Sequence, residues 1–151
     1  MKNYSEIKEK LYKACLLFVD ERLATVTNIM DSNQKALFSE TKSSAGDKHE
    51  TGRAMIQLEM EKAVQQLAVI NQMKAILEKI SIENRSKTIC LGSLIVTEKA
   101  NYFLAISAGK ITINTIDYYA VSTNSPIGQQ LLGKKIGDRI SFNKAKILNI
   151  Y

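Results

Sequence analysis

An alternation of threes and fours governs the first half of this chain. Tyr12, Leu16, Val19, Leu23, Val26, Met30, Asn33 and Leu37 follow one another at spacings of 4, 3, 4, 3, 4, 3 and 4, and all but Asn33 are apolar or aromatic. A repeat of about 3.5 residues places such positions along one narrow seam of an α-helix, the a and d positions of a coiled coil. A second seam, Ile56, Met60, Ala63, Leu67, Ile70, Met73, Leu77 and Ile80, repeats the pattern with one slip. Neither stretch contains Pro, and Glu, Lys, Gln, Ala and Leu, all good helix formers, dominate both. Residues 39–50 between them are polar and carry Ser and Gly, so they read as a turn. Two helices joined in this way fold back antiparallel, each seam burying the other.

The period changes after Ser81. Residues 88–97 are rich in Ile, Val, Leu and Thr, and residues 101–107 and 111–122 follow with strand-like character. Ala108-Gly109-Lys110 is expected to turn the chain between the latter two. One short helix is sharply punctuated, with Ser125 as N-cap, Pro126 at the first helical position and Gly133 just past the end. Gly137-Asp138 then turns the chain into residues 139–143, and a last strand is expected over 146–151. The fold class is α+β: a long antiparallel coiled-coil hairpin over 1–84 with its tip near 40–50, then a small antiparallel sheet with one short helix over 85–151. Residues 82–87 are the expected hinge.

Charge divides at the same place. Residues 1–84 hold 12 Lys/Arg and 12 Asp/Glu, whereas residues 85–151 hold 9 and 3, so the whole +6 sits in the second part. A basic module of this kind seeks nucleic acid or an acidic protein surface. The longest apolar run, residues 14–19, is six residues long and meets Asp20-Glu21-Arg22, too short to span a bilayer or to act as a signal peptide. Cys15 and Cys90 lie 75 positions apart and make neither a metal knuckle nor a redox pair. A cytoplasmic protein with no membrane association is therefore expected, and a monomer.

At the short helix a resemblance enters. Ser125-Pro126-Ile127-Gly128-Gln129-Gln130-Leu131-Leu132-Gly133-Lys134-Lys135-Ile136-Gly137-Asp138 resembles the C-terminal signature of the bacterial Gre transcription elongation factors, and Gly92-Ser93-Leu94-Ile95-Val96 resembles the opening strand of the same domain. In that family a coiled-coil hairpin precedes an FKBP-like domain, in the order read here. The resemblance implies that the C-terminal domain docks on RNA polymerase and the hairpin enters its secondary channel, reaching nascent RNA and DNA of the elongation complex. It also implies that tip carboxylates assist cleavage of backtracked RNA by the polymerase itself, so no independent enzyme is expected. The family's Gly-Asp-x-x-Glu tip corresponds to Gly46-Asp47-Lys48-His49-Glu50, with Lys48 and His49 standing where the family carries Leu and Ser. By resemblance, Asp47 and Glu50 are the assisting carboxylates and share the polymerase's Mg²⁺, the protein having no cofactor of its own. Ser125, Pro126, Ile127 and Lys134 are polymerase-binding candidates, and Arg53 and Lys48 are candidates for nucleic-acid contact.

Each feature also has a plainer local reading. Asp47-x-x-Glu50 ahead of an apolar heptad run outlines a capping box, His49 suits a solvated loop, and Arg53 an exposed helix face. Lys134, Lys135 and Arg139, the densest basic group, serve solubility or attract an acidic surface. Tyr102, Phe103, Tyr118, Tyr119 and Phe142 read as aromatics of the sheet core and its edges rather than a base-stacking platform. Three rival functions remain at this point: a channel-occupying regulator without cleavage, a prolyl isomerase built on the FKBP-like domain, and a coiled-coil adaptor that oligomerises through its seams.

Overall fold

The computed structural model describes residues 2–42 and 46–151, with side chains over 2–39 and 51–151. Two long helices open the chain, α1 (Tyr4–Lys42) and α2 (Gly46–Glu78), followed by β1 (Leu94–Thr97), β2 (Asn101–Ala105), β3 (Gly109–Ile113), β4 (Ile116–Ser122), α3 (Pro126–Leu131) and β5 (Ile147–Ile150). The class is α+β, as the two periodicities require. Among the described residues no helix is long and apolar enough to cross a membrane. The chain forms two compact units, Met1–Phe18 with Lys74–Tyr151, and Val19–Met73. The division thus does not follow chain order at residue 84. The first turns of α1 and the last turn of α2 pack in one body with the sheet.

Within Val19–Met73 the seams are buried as the spacing dictates. Val19, Val26 and Asn33 on α1, and Ala63 and Ile70 on α2, are buried. Leu23, Met30, Leu37, Ile56, Met60, Leu67 and Met73 are half-buried. Full burial recurs every seventh residue because two helices cover one another along a single line, and the intervening seam position lies at its margin. Asn33 breaks the apolar rule: it is 8% exposed and its Nδ2 has no hydrogen-bond partner. The helices run further than the polar composition of residues 39–50 suggests, to Lys42 and again from Gly46. Ser, Glu, Thr and Lys contain no breaker, and polarity alone does not end a helix.

In the other unit the sheet order is β3-β4-β2-β1-β5. An antiparallel sheet is the expectation from the sequence; three of the four strand pairs are antiparallel, but β2 and β4 run parallel, with Asn101 opposite Tyr118 and Ala105 opposite Ser122. The sheet is therefore mixed. The reason lies in which dipeptide makes the hairpin. Asn114 and Thr115 both take positive φ (51° and 69°), the two-residue turn that matches strand twist, and fold β3 onto β4. Residues 111–122 are thus two strands rather than one, and Ala108-Gly109-Lys110 leads into β3 instead of turning a hairpin. Residues 88–93 precede β1 without continuing it: Thr88 bridges Lys135, Gly92 takes φ 92° in a turn, and Ile89 pairs with the segment just past α3 through Ile89 N to Lys134 O and Gly133 N to Ile89 O, each 2.9 Å.

Both sheet faces are buried. Ile95, Tyr102, Leu104 and Ile147 pack with Ile89, Leu131, Ile140 and Ala145 under α3. The opposite face carries Leu94, Phe103, Tyr118 and Ala120, all buried. In the same unit the helix bases bury Ile7, Leu11, Cys15, Leu77 and Ile80. Ile80 lies so near Gly92 that a Cβ there would sit 3.0 Å from Ile80 Cγ2. Leu16, placed on the seam by spacing, is exposed, because Leu11 and Cys15 are the positions turned inward in this part of α1.

Candidate functional site

The signature string folds as a set of local necessities. Ser125 sits in extended backbone before α3, and its Oγ accepts from Gly128 N at 3.1 Å and donates to Ser122 O at 2.7 Å. Pro126 takes the first helical position, where its missing N–H costs nothing. Gly128 is buried, and a Cβ on it would lie 1.8 Å from Ser122 O, so no other residue fits this approach of helix to strand. Gly133 closes the helix at φ 84°. Gly137, at φ 94°, and Asp138 form the next turn: Asp138 N donates to Lys135 O (3.0 Å) and Asp138 Oδ2 accepts from Lys135 N (2.8 Å).

The expected docking residues do not form one cluster. Ser125, Pro126 and Ile127 stand at the N-terminal end of α3, and Lys134 follows its C-terminal end. Pro126 is exposed, while Ile127 is half-buried against the sheet core and Ser125 is occupied as the cap. Arg53 is exposed on α2 and engaged in an interaction of its own. Asp47, Lys48, His49 and Glu50 belong to the opening turns of α2, and their side chains lie outside the described residues. Because α2 begins at Gly46, Asp47 falls inside the helix rather than before it, where a capping box would need it. Among the described residues no group of three or more His, Cys, Asp or Glu side chains is placed to hold a metal.

One connection escaped the sequence reading. Phe142 is not a core or edge aromatic of the sheet but 73% exposed. It rides on a turn closed by Ile140 N to Ala145 O (2.9 Å) and Arg139 opposite Lys146. Gln130 of α3 reaches this turn, its Oε1 accepting from Phe142 N at 2.8 Å. An apolar residue within Ser141-Phe142-Asn143-Lys144, a run otherwise made of turn formers, was the available signal.

A second tie holds α1 to the chain's later segments. Lys8 is buried, and its Nζ donates to Asn84 O (3.2 Å) and Tyr151 O (3.1 Å). Burial pulls its ammonium pKa below the ordinary lysine value. Tyr4 stacks on Tyr151 with ring centroids 3.9 Å apart, and Arg85 bonds Ser5 Oγ at 3.2 Å. A cavity of about 490 Å³ opens beside them, lined by both signs of charge, including Glu6, Glu9, Glu83 and Arg85. None of the candidate residues named from the sequence lines it.

No protein-family model matches the sequence, and no curated protein does. Among solved structures, the chain is similar to the GreA factor homolog 1 (Gfh1) protein of Thermus thermophilus, at 18% identity over 93% of this chain and 94% of that one, with a TM-score of 0.33.

Proposed function

We propose that the chain is a Gre-like factor of bacterial RNA polymerase. In this reading the sheet domain docks at the secondary channel and the hairpin tip carries Asp47 and Glu50 to the active centre. The observation that carries it is the signature string: Ser125, Pro126, Gly128, Gly133, Gly137 and Asp138 each meet a separate geometric demand, in the order the family has them. Such a string specifies a fold rather than an activity, so the chemistry rests on the tip. There Asp47 stands in the first turn of α2 and Glu50 three positions on, two hard oxygen donors beside a helix N-terminus.

Two carboxylates are a fitting donor set for Mg²⁺, which takes one or two from protein and completes its shell with phosphate and water. Asp47 and Glu50 would hold it jointly with the polymerase. When bound there it supplies Lewis acidity and a more acidic water. The chain's own contribution is to orient those two carboxylates and bring them within reach of the RNA backbone. Lys48 and Arg53 add positive charge toward phosphate. The protein is accordingly no enzyme by itself.

A second reading keeps the partner and drops the chemistry: a channel-occupying regulator. The tip's composition favours it, since residues 39–50 hold Glu40, Asp47 and Glu50 against Lys42 and Lys48, a weakly acidic end. RNA cleavage in a backtracked elongation complex separates the two. Stimulation by the wild type that disappears in Asp47→Ala/Glu50→Ala, with polymerase binding retained, supports the first. Binding without stimulation supports the second.

A further inference from the structure

Phe142 carries the highest exposure of any large apolar side chain among the described residues, 73%. A surface phenylalanine on a loose loop would fold back onto the protein; this one is held out by its backbone. Phe142 N is bonded to Gln130 Oε1, Asn143 O accepts from Lys99 Nζ, Asn143 Oδ1 accepts from Ala145 N (3.0 Å), and Lys144 O accepts from Arg139 Nη1 (2.8 Å). Lys144 N to Ile140 O, at 2.9 Å, closes the turn on itself. The same part of the chain exposes two more apolar side chains, Ile136 (58%) and Leu132 (48%). Fixed aromatics lose little freedom on binding, which is what an interface anchor requires.

The surroundings are basic. Lys99, Lys134, Lys135, Arg139, Lys144 and Lys146 face only two acids in this part of the sequence, Glu98 and Asp138. Both acids are already engaged: Glu98 Oε2 with Lys146 N (3.1 Å) and Arg139 (3.7 Å), and Asp138 Oδ2 with Lys135 N (2.8 Å). Positive charge is thus in excess in the segments that build the turn, with Lys99 and Arg139 themselves bonded to its carbonyls. A single exposed aromatic suits a protein pocket rather than a stack of bases.

We propose that the turn over 140–145 is a docking anchor, with Phe142 entering an apolar pocket on an acidic surface of the polymerase and the basic rim steering the approach. This rests on the polymerase reading above, but it names a surface distinct from Ser125, Pro126 and Ile127. Gln130 is its positioning residue, acting through the bond to Phe142 N.

Biolayer interferometry with core RNA polymerase from the same organism, at two salt concentrations, tests it. Phe142→Ser is expected to weaken binding by about tenfold or more with circular dichroism and melting temperature unchanged. Lys144→Glu with Lys135→Glu should weaken it chiefly at low salt. Gln130→Ala, which keeps the ring, should give an intermediate loss. Wild-type affinity in Phe142→Ser overturns the anchor while leaving the polymerase reading in place. Failure of the wild type to bind polymerase at all overturns both. Phe142-dependent binding to single-stranded RNA alone would make the surface a nucleic-acid site and overturn the protein partner.

Discussion

At the scale of single residues, the strongest constraint is a contact distance. Gly128 faces Ser122 O where a Cβ would sit 1.8 Å away, so Gly128→Ala must push α3 off β4. A loss of at least about 3 kcal/mol is expected, in the range reserved for backbone clashes in a core, readable from denaturant midpoints. Ser125→Ala removes only the cap and should cost about 1 kcal/mol. Cys15 gives a pH signature. It is fully buried, and burial pushes its thiol from the ordinary 9.0 up to about 12. The neutral thiol is therefore favoured in the fold, a contribution complete below pH 9 and lost as pH rises toward 12. Between pH 8 and 10.5 the wild type should lose about 2 kcal/mol more stability than Cys15→Val. Equal losses would show that the thiol is not held neutral. Tyr102 and Tyr118, also raised by burial, act in the same direction above pH 10 and are common to both proteins.

At the scale of elements, what the sequence discloses depends on how local the cause is. The seams were legible over Val19–Met73 because burial in a two-helix pair follows spacing there, though not at Leu16 near the sheet, and α3 was legible because Ser125, Pro126 and Gly133 act locally. The parallel pairing of β2 and β4 was not, since it follows from a positive-φ turn at Asn114-Thr115 hidden inside a β-branched run. Phe142 was misplaced for a similar reason: its exposure depends on Gln130, twelve positions away, and on Lys99, further still. At the tip, the family resemblance singles out Asp47 and Glu50, whereas composition placed in a turn residues that α1 and α2 take up, to Lys42 and again from Gly46. Asn33 offers the test of the seam itself. Its Nδ2 is buried without a partner, a cost of about 1–3 kcal/mol. Asn33→Leu should raise stability by about 1–2 kcal/mol. If it is instead neutral or destabilising, the amide has a partner in solution.

At the scale of the whole molecule, the chain separates two kinds of surface. The net charge of +6 resides in residues 85–151, while residues 1–84 are neutral overall and carry Asp47 and Glu50 in the opening turns of α2. A basic docking module and a hairpin delivering oxygen ligands are the division of labour that the polymerase reading requires, and electrostatic steering by the basic part would make association fall with salt. The central claim is that the tip works at the polymerase active centre. Its most direct test is a photocrosslinker attached at Ser44→Cys in a Cys15→Val/Cys90→Ser background, irradiated with a stalled elongation complex. Crosslinks to polymerase peptides or RNA within reach of the catalytic magnesium are the predicted result. Crosslinks confined to the polymerase's outer surface, or none from a protein that still binds, would contradict it.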